Sequence, residues 1–136
     1  MSNTIPVNYE LQFEPLFHNF TFKGMEIITI SLSKATDSIM LDAAELKIEK
    51  CYVEQRTKII TANVSLNEKN ERLTIKLSKK IKGKAKLCIT FTGVLNDRLL
   101  GFYKSQYKDN KGKTKYLATT QFEAADARRA FPCWDE

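Results

Sequence analysis

Short runs in which apolar and polar residues alternate fill most of this chain and recur about every ten residues. Residues 9–14, 46–54 and 84–92 are examples. A run of this kind places its apolar side chains on one face of a β-strand and leaves the other face in water. No stretch reads as a long amphipathic helix. The pattern therefore predicts an all-β protein built as an antiparallel β-sandwich or barrel.

The alternating runs and the turn residues between them also predict where the strands lie. Residues 9–14 form a strand that Pro15 ends, and a long strand follows at 20–34, with Gly24 as the expected site of a bulge. Further strands are predicted at residues 38–42, 46–54, 58–66, 72–77 and 84–92. Residues 93–100 read as a loop, and residues 101–107 and 115–121 as a hairpin with its tip at 108–113.

Length and composition are those of one soluble domain. The 136 residues are enough for a substantial core, and 43% hydrophobic with 28% charged residues is ordinary for a globular protein. No apolar run approaches the roughly 18 residues of a membrane span. The first residues have neither the basic nor the apolar region of a signal peptide, so we expect a cytoplasmic protein without membrane contact.

Three cysteines are present, Cys51, Cys88 and Cys133, at long and unequal spacings. An odd number with these spacings fits neither a disulfide framework nor a zinc ribbon, so reduced thiols are expected. Cys51 and Cys88 lie in strand-like runs and are interpreted as small buried hydrophobic residues. Cys133 has no recognisable partner for a nucleophilic role.

Residues 119–136 differ in character from the rest of the chain, because they combine small residues, two adjacent arginines and an aromatic cluster. Arg128 and Arg129 could clamp a phosphate or carboxylate ligand. The alternative, which we favour, is a structural role in which nearby acids hold the turn; these acids are Asp126, Asp135 and Glu136. Residues 131–134 are interpreted as an apolar plug that packs on the sandwich or on a neighbouring domain.

Residues 120–136 closely resemble the T-Q-F-E-x-x-x-A-R-x-A-F-P-C-[FW]-D-E signature near the end of the N-terminal domain of M1-family zinc aminopeptidases. Residues 101–107 resemble a second landmark of that domain, G-F-Y-[RK]-S-x-Y, which also lies upstream of the first. The resemblance implies a saddle-shaped β-sandwich, in agreement with the periodicity. It also implies membership of a metallopeptidase that removes N-terminal residues from peptides.

The resemblance assigns roles to two residues at the end of the predicted hairpin. Glu123 matches the family glutamate that binds the α-amino group of the peptide substrate, and Gln121 matches a residue lining the pocket for the first side chain. A free α-amino group has a pKa near 8 and is mostly cationic at neutral pH, so a fixed carboxylate suits this task. The alternative is that Glu123 is a strand-end carboxylate paired with Arg128 or Arg129.

The catalytic parts of the family are not found in this sequence. The zinc motif H-E-x-x-H needs two histidines, and His18 is the single histidine, expected at a strand edge or in the core. Gly24, Met25 and Glu26 superficially resemble the start of the exopeptidase motif G-x-M-E-N, but Ile27 breaks that pattern. We therefore expect the chain alone to be inactive, with no metal of its own and no catalytic residue. Zinc is expected in the catalytic domain of a parent enzyme.

The end of the signature at Glu136 favours residues 1–136 as an N-terminal fragment whose partner is the missing catalytic domain; a free-standing remnant of that domain is the alternative. A further possibility is a binding or docking module that acts through its net charge of +6 on a partner protein or nucleic acid. The lysines lie on polar strand faces without interleaved aromatic residues for base stacking, which argues against nucleic acid.

Overall fold

The computed structural model describes residues 3–96, 101–121 and 126–134. Within them it contains seven strands and one short 3-10 helix, η1. In chain order these are β1 Thr4–Leu16, β2 Thr21–Asp42, β3 Leu46–Gln55, β4 Lys58–Asn67, β5 Arg72–Val94, β6 Gly101–Lys108, β7 Thr114–Gln121 and η1 Ala127–Arg129. No helix in the described residues is long and apolar enough to cross a membrane.

The two longest strands, β2 and β5, pair antiparallel along most of their length and form the centre of the fold. Each joins two runs that the sequence predicts as separate strands. The pairing is irregular between Leu32 and Thr36 of β2, and it then continues to Asp42. The polar residues between the runs therefore mark a local irregularity within a continuous strand, and the prediction that the strands end there was wrong.

The remaining strands of the main sheet pair with different halves of this β2–β5 ribbon. The strand order is β1-β2-β5-β3-β4, and β4 also pairs with the first half of β5. Ile28 and Leu87 from one half of the ribbon and Leu41 and Ile75 from the other half belong to one buried cluster. The two halves therefore share one apolar core, as in a β-sandwich, and the predicted all-β antiparallel fold is confirmed.

Two strand predictions need correction at Pro15 and Gly24. Pro15 does not end β1, because the strand continues to Leu16 and Pro15 pairs with Phe22. An edge strand tolerates proline because one side of it has no hydrogen-bonded neighbour. Gly24 is not a bulge, since its register with β1 and β5 is regular. A Cβ atom there would lie 2.3 Å from ring atoms of Phe91, so close packing is what requires glycine.

The predicted C-terminal hairpin is present as β6 and β7, paired from Gly101↔Gln121 to Lys108↔Thr114. Its tip is held by Asp109, whose side-chain oxygen accepts hydrogen bonds from the backbone N–H groups of Lys111 and Lys113, both at 2.9 Å. Of the predicted loop at 93–100, Gly93 and Val94 belong to β5, and residues 97–100 lie outside the described residues.

The predictions for the cysteines and for the histidine differ in how well they agree with the structure. All three cysteines are thiols within the described residues; Cys88 and Cys133 are buried and Cys51 is half-buried. Burial raises the pKa of the Cys51 thiol to about 12, which makes it unreactive at neutral pH. His18 is an exposed residue of the turn between β1 and β2, so its predicted place at a strand edge or in the core was wrong.

Candidate functional site

The structure describes both flanks of the predicted amine-binding position. Gln121 is the last described residue of β7, and its backbone pairs with Gly101, so the hairpin extends to this residue. On the other side of this position, Asp126 is the N-cap residue of η1. Glu123 lies outside the described residues, so its predicted role and its alternative pairing with an arginine both stay predictions.

Arg129 binds three carboxylates with three different nitrogen atoms. Its Nε lies 3.0 Å from Oδ1 of Asp126, its Nη1 lies 3.0 Å from Oε1 of Glu45, and its Nη2 lies 3.3 Å from Oε2 of Glu71. The planar guanidinium suits such an arrangement because its donors point outward in one plane. We call these four residues the Arg129 cluster.

Arg128 attaches the same turn to the sandwich at neighbouring points. Its Nη1 lies 3.4 Å from Oε1 of Glu71, and its backbone carbonyl accepts a hydrogen bond of 2.9 Å from the N–H of Ala44. A weaker contact of 4.0 Å joins its Nη2 to Oδ2 of Asp42. Arg128 and Arg129 thus share Glu71, and both are paired with acids, as the structural interpretation expects. Of the three acids predicted to hold them, Asp126 pairs with Arg129, and Asp135 and Glu136 lie outside the described residues.

The acids of the cluster come from loops that are distant in sequence. Glu45 lies between β2 and β3 and has φ +59°, while Glu71 lies between β4 and β5 and has φ +55°. Left-handed backbone is unfavourable for residues other than glycine, so the surrounding contacts hold both loops in this conformation. Asp126 was predicted correctly as an arginine partner, whereas Glu45 and Glu71 were not predicted, because no local pattern reports a contact between such distant loops.

The residues after η1 also pack on the sandwich, and most of them form the predicted apolar plug. Phe131 packs edge-to-face on Tyr9 and Phe13, with ring centroids 6.0 Å and 6.2 Å apart. Cys133 forms an antiparallel bridge with Asp42 through backbone hydrogen bonds of 2.7 Å and 2.9 Å. The backbone N–H of Trp134 donates to the Tyr9 hydroxyl at 3.2 Å. The segment 126–134 is therefore part of the sandwich.

A polar cleft of about 510 Å³ lies beside this segment, with Asp42, Arg72, Arg128 and Trp134 among its lining residues. Arg72 pairs with Asp42 there at 3.3 Å, so charges of both signs line the cleft. Among the residues that the structure describes, no group of three or more His, Cys, Asp or Glu residues could hold a metal ion.

The lysines that motivated the charge-based alternative are exposed, as predicted, wherever their side chains are described. Six of them lie along β5, where Ser78, Lys79 and Lys80 form an exposed run and the other lysines alternate with buried or half-buried residues; the six are Lys76, Lys79, Lys80, Lys82, Lys84 and Lys86. β5 has paired strands on both sides, so these lysines keep its solvent-facing side polar and do not protect a sheet edge. The aromatic residue of β5, Phe91, is buried, so the β5 lysines have no exposed aromatic neighbour on their own strand, whereas Tyr107 and Tyr116 of the β6–β7 hairpin are 49% and 42% exposed.

Comparison with known proteins identifies the family. The model of the peptidase M1 N-terminal domain matches residues 5–136. Aminopeptidase 2 of Candida albicans is 39% identical over an alignment of 137 positions, which covers 99% of this chain and 14% of that protein. The puromycin-sensitive aminopeptidase of Caenorhabditis elegans is 40% identical over 134 residues, 96% of this chain and 14% of the relative.

Aminopeptidase M1 of Arabidopsis thaliana is 39% identical over an alignment of 138 positions, which covers 97% of this chain and 16% of the relative. The chain therefore spans only 14% to 16% of the length of these three proteins. The match extends far beyond the two landmarks near the C-terminus and confirms the resemblance. The chain belongs to the family of peptidase M1 N-terminal domains.

Proposed function

We propose that this chain is the N-terminal substrate-recognition domain of a zinc aminopeptidase that removes N-terminal residues from peptides. The observation that carries the proposal is the family match over residues 5–136. The similar proteins named above are aminopeptidases roughly six to seven times longer than this chain, as their covered fractions of 14% to 16% imply. Catalysis would therefore belong to a domain that these 136 residues do not contain.

Glu123 is the proposed anchor for the substrate. Its carboxylate would pair with the cationic α-amino group and so set the distance from the chain end to the first peptide bond. Gln121, two residues earlier at the end of β7, would line the pocket for the first side chain. The support is the signature that contains both residues, together with the ordered attachment of Gln121 and Asp126 on either side of Glu123.

Zinc, which the family implies, is proposed to bind outside this chain. The described residues do not offer a set of ligands that fits it. When bound in the catalytic domain, zinc would polarise the scissile carbonyl and activate water. The contribution proposed for this domain is confined to binding and orienting the peptide N-terminus.

The proposal is tested with the full-length aminopeptidase that carries this domain. The inhibition constants of a peptide with a free α-amino group and of its N-acetylated twin are measured for the wild type and for Glu123→Gln. Loss of a desolvated ion pair costs on the order of 2 to 5 kcal/mol, so the preference for the free amine should fall by at least about 30-fold.

The matched control is Glu10→Gln, because Glu10 is an exposed glutamate on edge strand β1. This variant should keep the wild-type preference. A preference that survives in Glu123→Gln would remove Glu123 from the amine site.

A further inference from the structure

We propose that β4 is a dimerisation edge, at which two copies of this chain pair antiparallel through residues 62–67 about a two-fold axis. Residues 62–67 pair with β5, and the ladder between β3 and β4 ends at Tyr52↔Thr61. A strand can pair on two sides, so one side of this stretch has no strand partner among the described residues. Its N–H and C=O groups can therefore bind another chain. This pairing is independent of the role proposed for Glu123.

The open side of β4 is continuous with the apolar core. Val64 pairs with Ile75, so both side chains lie on the core face, but Val64 is 38% exposed whereas Ile75 is 0% exposed. Ala62 and Leu66 lie on the same face and are half-buried. A cleft of about 300 Å³ lies there between β3 and β4; its lining includes Ile48, Lys50, Cys51, Ala62, Asn63 and Val64. An added strand would cover this part of the core.

The sequence of β4 lacks the features that protect another edge strand of this protein. Residues 59–67 contain no charged residue and no proline, in a chain of which 28% is charged. Edge strand β1 instead carries Pro6, Pro15, Glu10 and Glu14, and its pairing with β2 is irregular after Pro6. Charges, prolines and bulges are the means by which edge strands avoid pairing with another chain. Residues 62–67 have none of the first two, which favours the addition of a strand there.

A second copy of this chain fits the edge because β4 is complementary to itself. Opposite residues of an antiparallel pair lie on the same face, so core-facing residues must meet core-facing residues. With Val64 on the two-fold axis, Ala62 of one copy lies opposite Leu66 of the other, so a small side chain meets a large one. Asn63 then lies opposite Ser65. Because this stretch is uncharged, the net charge of +6 on each copy does not place like charges opposite each other.

The test is sedimentation equilibrium of the 136-residue chain between about 1 μM and about 1 mM, since a short strand pair lies at the small end of specific interfaces. We expect the average mass of the wild type to rise with concentration from that of one chain toward that of two. Val64→Lys places two ammonium groups at the axis and should raise the dissociation constant of the dimer at least about 10-fold. The matched control is Val7→Lys, because Val7 is 57% exposed on β1. It should keep the wild-type dissociation constant.

A second variant leaves the core face unchanged, in case circular dichroism shows that Val64→Lys does not fold. Asn63→Lys combined with Ser65→Lys changes two exposed residues and places lysines of the two copies opposite each other. It should also raise the dissociation constant at least about 10-fold. A wild type that stays monomeric over the whole range would overturn the proposal. A dimer that persists in this double variant, or that Val7→Lys weakens equally, would overturn it as well, because the contact would then not be the edge of β4.

Discussion

Two glutamates of this domain, Glu26 and Glu71, show opposite ways in which a protein accommodates an acid. Glu71 lies at the edge of the sandwich and binds both Arg128 and Arg129. Glu26 lies in the middle of β2, points into the core and is 0% exposed. Neither of its carboxyl oxygens has a hydrogen-bond partner within the described structure.

The surroundings of Glu26 are apolar. The register places it in one row with Leu11 of β1, Ile89 of β5 and Cys51 of β3. Burial alone raises the pKa of Glu26 from 4.5 to about 9, so the carboxyl is protonated at neutral pH. The Arg129 cluster instead keeps its acids next to cationic partners.

The comparison shows that the groups next to a buried or half-buried acid determine its role in the fold. An acid with arginines around it forms ion pairs that can fix the position of a turn. An acid without partners becomes neutral and makes folding depend on pH. The following predictions test this difference, from the largest expected effect to the smallest.

Replacing Glu26 should produce the largest change in the free energy of unfolding. Because its folded-state pKa lies above the unfolded value, the folded state binds the extra proton, and the free energy of unfolding falls as pH rises between 4.5 and about 9. Glu26→Met removes this titration and retains an apolar side chain of similar size. The stability advantage of the variant should grow by roughly 1.4 kcal/mol per pH unit between pH 5 and 8.5, measured by urea unfolding.

The control for this experiment is Glu10→Gln, because Glu10 is exposed on β1. Its unfolding free energy should follow that of the wild type at each pH. A constant difference between Glu26→Met and the wild type across the range would show that Glu26 is not a buried protonated acid.

Removing the guanidinium from the Arg129 cluster should have a smaller effect of opposite sign. Arg129→Met leaves Asp126, Glu45 and Glu71 without their shared cation, and we expect a loss of about 2 kcal/mol in urea unfolding at pH 7. Arg72→Met should cost clearly less, because Arg72 is half-exposed and pairs with Asp42. Equal losses for the two arginines would contradict the distinction between the cluster and an ordinary surface pair.

The exposed pair of Lys76 and Asp37 should show the smallest effect. Lys76 Nζ lies 3.0 Å from Asp37 Oδ1, and this hydrogen bond lowers the pKa of Asp37. A lowered pKa adds stability above the unfolded pKa, and that contribution is lost as pH falls through the folded value. In Lys76→Gln the pKa of Asp37, followed by NMR, should return toward its ordinary value with little change in urea midpoint. An unchanged pKa would show that the pair does not form in solution.

The sequence predicted the regular parts of this fold because their physics is local. Alternation fixes which face of a strand is buried, and Asp109 with Gly112 marks a turn, so the sandwich and the β6–β7 hairpin were both predicted correctly. The continuity of β2 past Leu32 was missed, since polar residues at an irregular position look like a turn. Gly24 was assigned a bulge because only the fold reveals Phe91 against it.

The site was predicted where a motif covers it and missed where it depends on tertiary contacts. The signature directed attention to Glu123 and Gln121, and neighbouring acids suggested Asp126 as an arginine partner. Glu45 and Glu71 were not predicted, because they contact Arg129 from loops that are far away in sequence. Glu26 stood in a strand-like run, where alternation alone does not identify a charged residue that faces the core.

The central claim is that this domain supplies the carboxylate that binds the substrate α-amino group. The most direct measurement is a crystal structure of the full-length aminopeptidase with a bound free-amine peptide analogue. We predict that a carboxyl oxygen of Glu123 lies about 3 Å from the α-nitrogen of the ligand. A Glu123 side chain directed away from the ligand, with the α-nitrogen bound by other groups, would contradict the claim.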